Sequence, residues 1–283
     1  MPASTVLHAM LRGACSLALC AGLFQGATVL YRHTLGRTVT PVRTVAAPVA
    51  VATAVQGTSS GDHVVPPPPP LPAKFRVGAL RAGSGGHYCT ASVVDSPRRN
   101  LLITAAHCIH TGPGGGYLGP LFFSPGDATG HGTAAGVWQV RSELVDRAWS
   151  VDGDPDADVA FLTLRPRAGR DIEDVVGANP VSFDWKAGTI ALIGYPDTAS
   201  QALRCSGRAR RLSDHQMRVY CPGFTSGTSG TPWLAGPGAM AGTGTLVGVL
   251  GGYRRGGSTA DVSYSSVLDT TIAALYRRAV VLP

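Results

Sequence analysis

The sequence predicts an all-β domain that ends in a single α-helix. Glycine and proline account for 37 and 21 of the 283 residues, and both favour the turns that join short strands. From residue 74 onward, short apolar segments alternate with turn-forming segments. Near the C-terminus, apolar residues at steps of four, three and four form a helical stripe of Leu268, Ile272, Leu275 and Ala279. Many short strands followed by one helix indicate a β-barrel protein.

Seven segments are predicted to be strands, because each is short, rich in β-branched or aliphatic residues and bounded by turns. They are residues 75–80, 90–94, 100–104, 136–140, 159–164, 189–194 and 245–250. The glycine-rich segment 112–119 is predicted to be a surface loop. The helix is predicted over 266–280, where Arg277 and Arg278 suit its C-terminal end.

The N-terminal part of the chain has a different composition. Residues 13–31 form an uncharged, weakly apolar run with Arg12 before it and Arg32 after it. This pattern is typical of a cleaved secretory signal or of an uncleaved signal anchor, and a buried internal helix is the remaining alternative. We interpret residues 1–37 as a signal peptide or signal anchor, which implies export.

Residues 38–72 are rich in proline, alanine and valine and end in a proline run over 66–70. Consecutive prolines favour an extended, stiff polyproline II conformation without a core of its own. A spacer, a propeptide or an SH3-type ligand would each have this composition. The sequence therefore predicts three parts, 1–37, 38–72 and a domain over 73–283.

The formal net charge is +7, but the basic residues are scattered as pairs, and no run of five or more occurs. No zinc-finger or aromatic-rich RNA-binding motif accompanies them, so nucleic acid is not a predicted partner. Four cysteines lie in the predicted domain, at Cys89, Cys108, Cys205 and Cys221. Four cysteines allow three disulfide pairings, and disulfides imply an oxidising compartment. Without a Cys-x-x-Cys or His-x-x-x-His spacing, we predict no metal site.

Three motifs carry the chemistry. The first is Thr-Ala-Ala-His-Cys at 104–108, which follows a predicted strand. The alanines leave space beside the ring of His107, and histidine exchanges a proton near neutral pH, as a general base requires. His110 lies nearby, but nothing around it in the sequence indicates a rigid seat.

The second motif is Asp-Gly-Asp-Pro-Asp-Ala-Asp at 152–158. A calcium loop is one reading, but the glycine and distal glutamate of an EF-hand are missing. A solvated turn accounts for the first three aspartates. Asp158 directly precedes the apolar segment 159–164, where its carboxylate can be buried and orient an imidazole.

The third motif is Gly-Thr-Ser-Gly-Thr-Pro at 227–232. A serine hydroxyl becomes a nucleophile when a base takes its proton, and flanking glycines allow backbone N–H groups to approach an oxyanion. Ser229 is therefore the candidate nucleophile, and the N–H groups of Gly227 and Ser229 are the candidate oxyanion donors. An esterase of the α/β-hydrolase type would need a strand–Gly-x-Ser-x-Gly–helix context and the chain order Ser, Asp, His, which this sequence lacks.

Together these motifs resemble those of trypsin-like (chymotrypsin-fold) serine proteases over about residues 75–280. The resemblance implies two Greek-key six-stranded β-barrels with a C-terminal α-helix and a catalytic site at their junction. It assigns His107 as base, Asp158 as its orienting partner and Ser229 as nucleophile. It also implies a Cys89–Cys108 disulfide beside the histidine, and Cys205–Cys221 is then the remaining pair.

The chain departs from the digestive members of that family at two positions. Thr228 stands where they have an aspartate that binds a new N-terminal ammonium, so this activation switch is not expected here. Thr231 replaces a glycine. Both features are more similar to bacterial glutamyl-endopeptidase-type relatives.

For substrate binding, counting along the family pattern places the selective residue of trypsin at Gly223, which is uncharged. Preference for Arg or Lys is therefore not predicted, although Asp261 is a possible neighbour of the pocket. His215, Arg218 and Thr225 are candidates for binding an acidic side chain. Gly251, Gly252 and Tyr253 resemble the edge that pairs with an extended substrate backbone.

The sequence thus predicts a monomeric, exported serine endopeptidase that acts on polypeptides without a cofactor. It would be secreted or tethered to the outer face of the cell membrane, with membrane or cell-wall association through its N-terminal segment. The alternative is a catalytically silent scaffold of the same fold, since fold alone does not establish activity.

Overall fold

Antiparallel β-strands dominate the structure, a computed structural model that describes residues 76–129, 132–257 and 259–283. All of these residues belong to one compact unit, Val64–Pro283. The strands are β1 (Val77–Ala82), β2 (His87–Val94), β3 (Leu101–Thr104), β4 (Leu121–Pro125), β5 (Trp138–Val145), β6 (Ala160–Leu164), β7 (Gly188–Gly194), β8 (Leu203–Arg211), β9 (Gln216–Tyr220), β10 (Pro232–Ala235), β11 (Thr245–Val249) and β12 (Val262–Ser266). The helices are α1 (Ile172–Val176) and α2 (Thr270–Ala279).

The strands form two six-stranded systems. The first is a closed barrel in the order β1-β2-β3-β6-β5-β4, and the second is a sheet in the order β11-β10-β7-β8-β9-β12. Both use the same connectivity, three consecutive strands followed by a return strand, which is the Greek-key arrangement. In the second system the end strands approach each other through a hydrogen bond from Val249 N–H to the Ser265 hydroxyl at 3.0 Å. The predicted pair of six-stranded Greek-key barrels is confirmed.

Each barrel has its own apolar interior. Trp138, Phe123 and Leu102 are completely or almost completely buried within the first, and Trp233 and Leu192 within the second. Successive side chains of a strand point to opposite faces. In β3 and β6 both faces are buried, because Ile103 and Phe161 pack in a further apolar cluster that includes Ile272 of α2. Two rigid barrels can therefore hold loops from both against a common cleft.

The C-terminal helix packs on the outside of the barrels. The Asp269 carboxylate caps its first turn by accepting hydrogen bonds from the N–H groups of Thr271 and Ile272. All four residues of the predicted stripe are buried, and they contact Phe161 and its neighbours. The helix is shorter than predicted because residues 266–269 continue from β12 into the cap.

Five strands have no counterpart in the sequence prediction, namely β4, β8, β9, β10 and β12. Strand β8 explains why: it consists largely of arginine, serine and glycine and lies mostly at the surface, so its sequence lacks an apolar pattern. Strand β10 begins with a proline, which ordinarily argues against a central strand. Pairing with neighbours on both sides, and not local preference, makes these segments strands.

The predicted signal segment (1–37) and linker (38–72) lie outside the described residues. Within the described ranges, no helix is long and apolar enough to cross a membrane.

Strand β5 carries Glu143, an acidic residue whose partial burial disfavours its charged form. Partial burial raises the pKa of Glu143 from its ordinary value of 4.5 to about 7. Burial raises the pKa of the nearby Tyr88, and the negative charge of Glu143 raises it further. The Tyr88 hydroxyl donates to the carbonyl oxygen of Cys108 at 2.7 Å, next to His107.

This raised pKa predicts a pH-dependent loss of stability. The folded protein retains a proton on Glu143 that the unfolded chain releases, so the stabilisation is complete below pH 4.5 and is lost as the pH rises through about 7. We expect Glu143→Gln to raise the free energy of unfolding at pH 8 by roughly 1 kcal/mol, since the group remains partly solvated, and to change it little at pH 4.5. Urea unfolding at both pH values measures this.

The control for this substitution is Asp214→Asn, which neutralises an exposed carboxylate in a turn. An equal effect of Glu143→Gln at both pH values would contradict the prediction.

Candidate active site

The loop after β3 places His107 at the edge of the first barrel. Ala105 and Ala106 are completely buried, and a 3₁₀ turn over Ala106–Cys108 directs the imidazole outward. The Cys89–Cys108 disulfide ties this turn to β2. The imidazole is therefore held from both sides by a rigid strand and a covalent link.

Asp158 lies at the end of a 3₁₀ turn, Pro155–Ala157, directly before β6. Asp154 caps this turn by accepting the N–H of Asp156 at 2.9 Å. The side chain of Asp158 is completely buried, whereas that of His107 is 10% exposed. A buried carboxylate needs several hydrogen-bond donors, and this position supplies them.

Three N–H groups point at the Asp158 carboxylate. His107 Nδ1 lies 2.8 Å from Oδ2, the backbone N–H of His107 donates to Oδ1 at 2.9 Å, and the N–H of Gly252 donates to Oδ2 at 2.8 Å. Because the carboxylate only accepts, it assigns the proton of the neutral imidazole to Nδ1. Nε2 then keeps its lone pair, which is the state that a general base requires.

The Ser229 loop runs between β9 and β10 and depends on two glycines. Gly227 and Gly230 have φ angles of 87° and 81°, in the region that residues with a Cβ atom avoid. A Cβ atom on Gly230 would lie 2.1 Å from the carbonyl oxygen of Thr90 and from the Thr104 hydroxyl. Close approach of this loop to the first barrel is therefore possible only with glycine.

Hydrogen bonds join the Ser229 loop to the elements that carry His107 and Asp158. The N–H of Thr90 donates to the carbonyl oxygen of Ser229 at 2.7 Å, and the Thr104 hydroxyl donates to the carbonyl oxygen of Thr90 at 2.8 Å. On the other side, the N–H of Gly230 donates to the carbonyl oxygen of Leu250 at 2.7 Å. The Ser229 loop is thus bonded on one side to β2 of the first barrel and on the other to the segment that leads into Gly252.

The Ser229 hydroxyl forms no hydrogen bond with His107 Nε2 in the part of the chain that the structure describes. Contacts of this type are often long in a ligand-free enzyme and shorten when substrate binds.

The two N–H groups that are predicted to bind the oxyanion have no acceptor among the described residues. Within the described ranges, the N–H groups of Gly227 and Ser229 donate to no protein acceptor, whereas that of Thr228, between them, donates to the carbonyl oxygen of Thr225 at 3.1 Å. These two N–H groups of the Ser229 loop are therefore free to donate to a ligand.

Thr228 is completely buried, and its hydroxyl also donates to the carbonyl oxygen of Thr225. This part of the Ser229 loop is therefore held by hydrogen bonds between its own residues.

A cleft of about 390 Å³ opens beside Ser229. Its described lining consists of Phe224, Thr225, Ser226, Thr228, Ser229, Leu250, Arg254, Arg255, Gly256, Gly257, Thr259 and Ala260. Of the predicted substrate-binding residues, only Thr225 lines it. Gly223 is exposed and is not among the lining residues, and its N–H donates to the carbonyl oxygen of Ala260 at 2.8 Å.

The backbone N–H groups of the predicted substrate edge over 251–253 all have acceptors within the protein. Those of Gly251, Gly252 and Tyr253 donate to the Tyr264 carbonyl oxygen, the Asp158 carboxylate and the Gln216 side-chain oxygen, respectively. With these three donors engaged, a substrate would pair with this segment through its carbonyl oxygens. Pairing of this edge with substrate stays a prediction, and Gly252 also helps to hold the Asp158 carboxylate.

Of the other residues that the sequence analysis considered for charge recognition, His215, Arg218 and Asp261 are not among the described lining residues of the cleft. His215 is largely exposed, 3.9 Å from the Asp269 carboxylate, and Arg218 faces Arg210 across the β8–β9 ladder. Asp261 is exposed and is not among the residues that line the cleft.

Sequence reasoning missed Arg254 and Arg255, which do line the cleft. It treated them as one of several surface pairs, although their position directly after the predicted substrate edge was a usable signal. It also missed that His110 is buried, with its Nδ1 accepting the N–H of Gly112 and its ring against Tyr117. His110 thus has a structural role.

Both expected disulfides, Cys89–Cys108 and Cys205–Cys221, are present. The sulfurs of the first lie close to His107, but they are bonded to each other and are therefore not thiolate metal ligands.

Comparisons with known proteins agree with this geometry. Residues 89–249 match the family model of the trypsin-like peptidase domain. No curated protein sequence matches the chain. A thermostable serine protease, AL20, from an extremophilic microorganism is 25% identical, with a TM-score of 0.66, over 75% of this chain and 100% of that one.

The protease Anisep from Arthrobacter nicotinovorans is 27% identical, with a TM-score of 0.63, over 75% of this chain and 97% of that one. A Glu endopeptidase, 18% identical over 74% of this chain and 92% of its own, shares the fold with a TM-score of 0.59. The chain has two Greek-key barrels and a buried aspartate that is hydrogen-bonded to a histidine, and the family model matches more than half of its length. This chain therefore belongs to the trypsin-like peptidase family and is a serine-type peptidase.

Proposed function

We propose that this chain is an exported serine endopeptidase that cleaves peptide bonds through an acyl-enzyme intermediate, with His107, Asp158 and Ser229 as its catalytic triad. The observation that carries the proposal is the His107–Asp158 hydrogen bond of 2.8 Å beside a cleft that Ser229 lines. The free N–H groups of Gly227 and Ser229 support it.

The reaction follows from the protonation states. Nε2 of His107 takes the proton of the Ser229 hydroxyl as its oxygen attacks the peptide carbonyl carbon. The carbonyl oxygen becomes negatively charged and is stabilised by the N–H groups of Gly227 and Ser229. Asp158 stabilises the imidazolium and keeps its orientation, but takes no proton.

Collapse of the tetrahedral intermediate breaks the C–N bond, and His107 donates its proton to the leaving amine. A water molecule, deprotonated by the same imidazole, then attacks the acyl carbon. The bond between this carbon and the Ser229 oxygen breaks, His107 returns the proton to that oxygen, and the new carboxyl end is released. Each proton that His107 takes is returned, so the enzyme is regenerated.

Export is supported by the two disulfides, since disulfides persist in oxidising compartments and are rare in reducing ones. The signal-like run at 13–31 is the matching sequence feature, and secretion or membrane tethering would follow from it.

A fluorophosphonate probe tests the catalytic assignment, because it phosphonylates only an activated serine. We expect one label per chain, located by peptide mass spectrometry on Ser229 and not on Ser226 of the same cleft. His107→Ala should abolish labelling, since the hydroxyl would lose its base.

A label on another serine would contradict the triad assignment. Absence of labelling, combined with no hydrolysis of a mixed peptide library by the folded full-length protein, would favour a catalytically silent scaffold.

A further inference from the structure

We propose that Arg254 and Arg255 form an acid-recognising wall of the cleft beside Ser229, and that the enzyme prefers Glu or Asp at P1, the residue whose carbonyl carbon is attacked. This inference rests on the proposed function, because it assigns the cleft to the P1 side chain.

The charge of the cleft is the first argument. Among its described lining residues, Arg254 and Arg255 are charged and none is acidic. Neither guanidinium has an ion-pair or hydrogen-bond partner in the described ranges. The guanidinium carbon of Arg254 lies 5.4 Å from the centroid of the Tyr253 ring. By contrast, the surface residues Arg99 and Arg278 lie near carboxylates. Two adjacent cations without a counter-ion attract an incoming carboxylate.

The backbone is the second argument. Arg254 and Arg255 have φ angles of 50° and 54° and ψ angles of 37° and 39°, the left-handed region that residues with a Cβ atom avoid. Glycine would adopt this conformation without strain. Strain of this type persists where the surrounding structure requires it, and it concentrates at ligand-binding sites.

Contacts with the catalytic residues fix the position of this turn. It starts at Gly252, whose N–H is bonded to the Asp158 carboxylate, and the next N–H, of Tyr253, is bonded to Gln216. Gln216 in turn donates to the Asp156 carboxylate at 2.6 Å. The backbone that leads into the two arginines is therefore tied to the carboxylate that also accepts from His107 Nδ1.

Other P1 side chains fit this cleft less well. A basic side chain would find two cations and no carboxylate among the described lining residues. An apolar side chain would cover the guanidiniums without offering them an acceptor. A carboxylate can accept from both arginines and from the hydroxyl groups of Thr225, Ser226 and Thr259.

The test uses peptide substrates that differ only at P1, with Glu, Gln, Asp, Arg and Phe, and the full-length protein. Gln matches Glu in shape but lacks its charge, so the ratio of kcat/KM for Glu over Gln isolates charge recognition. We expect this ratio to be roughly ten to a hundred. Arg254→Gln and Arg255→Gln should each lower it, the double variant should bring it close to one, and Arg255→Lys should retain part of it.

Arg218→Gln is the matched control, since it removes one positive charge from β9 outside the cleft and should leave the ratio unchanged. The rate of Ser229 labelling by an uncharged fluorophosphonate, measured for every variant, reports whether the catalytic centre is intact.

The outcomes separate this inference from the proposed function. A labelled, active enzyme with a Glu/Gln ratio of one or less, a preference for Arg, or an acidic preference at a subsite other than P1 would overturn the acid-recognition inference alone. An equal loss of preference in Arg218→Gln would overturn it as well. No labelling and no hydrolysis of any substrate would overturn the proposed function, and the inference with it.

Discussion

Replacing Ser229 by alanine is expected to lower kcat by about a millionfold, because the acyl-enzyme route needs an attacking oxygen at this position. The variant should still fold, since the hydroxyl forms no hydrogen bond within the described residues and the backbone contacts of Ser229 remain. The remaining activity should exceed that of water, because the N–H groups of the oxyanion site are unchanged. Initial rates on a peptide substrate, with circular dichroism as a check of folding, measure this.

Ser200→Ala is the control for this substitution. Ser200 is an exposed serine that does not line the cleft, and its loss should leave the rate unchanged. If Ser229→Ala kept more than about 1% of the wild-type rate, another nucleophile would have to act.

Replacing Asp158 by asparagine is expected to lower kcat by about ten-thousandfold at neutral pH. The carboxylate accepts three N–H groups, two of them from His107. An asparagine offers one acceptor oxygen and an NH₂ group, so at least one of these donors would face another donor. If the NH₂ group faces His107 Nδ1, it favours the tautomer with the proton on Nε2, which cannot accept the proton of Ser229.

The measurement for Asp158→Asn is kcat on the peptide substrate together with fluorophosphonate labelling, and both should decrease in parallel. Asp156→Asn, two residues earlier, is the matched control. Its side chain accepts from Gln216 at 2.6 Å, and the asparagine oxygen can do the same. A fall in the rate of Asp156→Asn as large as that of Asp158→Asn would show that the whole turn, and not the orientation of the imidazole, is responsible.

Much of the first barrel could be predicted from local patterns. Strands β3 and β6 are completely buried and rich in aliphatic residues, and their predicted positions agree closely with the structure. Strand β2 begins three residues before its predicted start, where its sequence is His-Tyr-Cys. The second barrel was predicted less completely. Strand β8 consists largely of arginine, serine and glycine at the surface, and its ladders with β7 and β9 make it regular.

The candidate site was predictable to the extent that its residues belong to short motifs. His107, Asp158 and Ser229 each follow or precede a recognisable strand or glycine turn, so the sequence indicates both their chemistry and their rigidity. The residues of the cleft were not predictable in this way. Thr225 and Arg254 come from two segments about thirty residues apart, and only the packing of these segments brings them into one lining.

The sequence by itself determined the β-rich architecture and the terminal helix, and it indicated the three side chains that we propose as the catalytic triad. Local hydrophobic patterns and glycine positions are enough for this, because they set backbone direction and side-chain face. Only the tertiary structure showed that the N–H groups of residues 251–253 donate to Tyr264, Asp158 and Gln216. It also showed that two arginines in a left-handed turn line the cleft. Those features depend on how distant loops pack between the barrels, where each hydrogen-bond partner comes from another part of the chain.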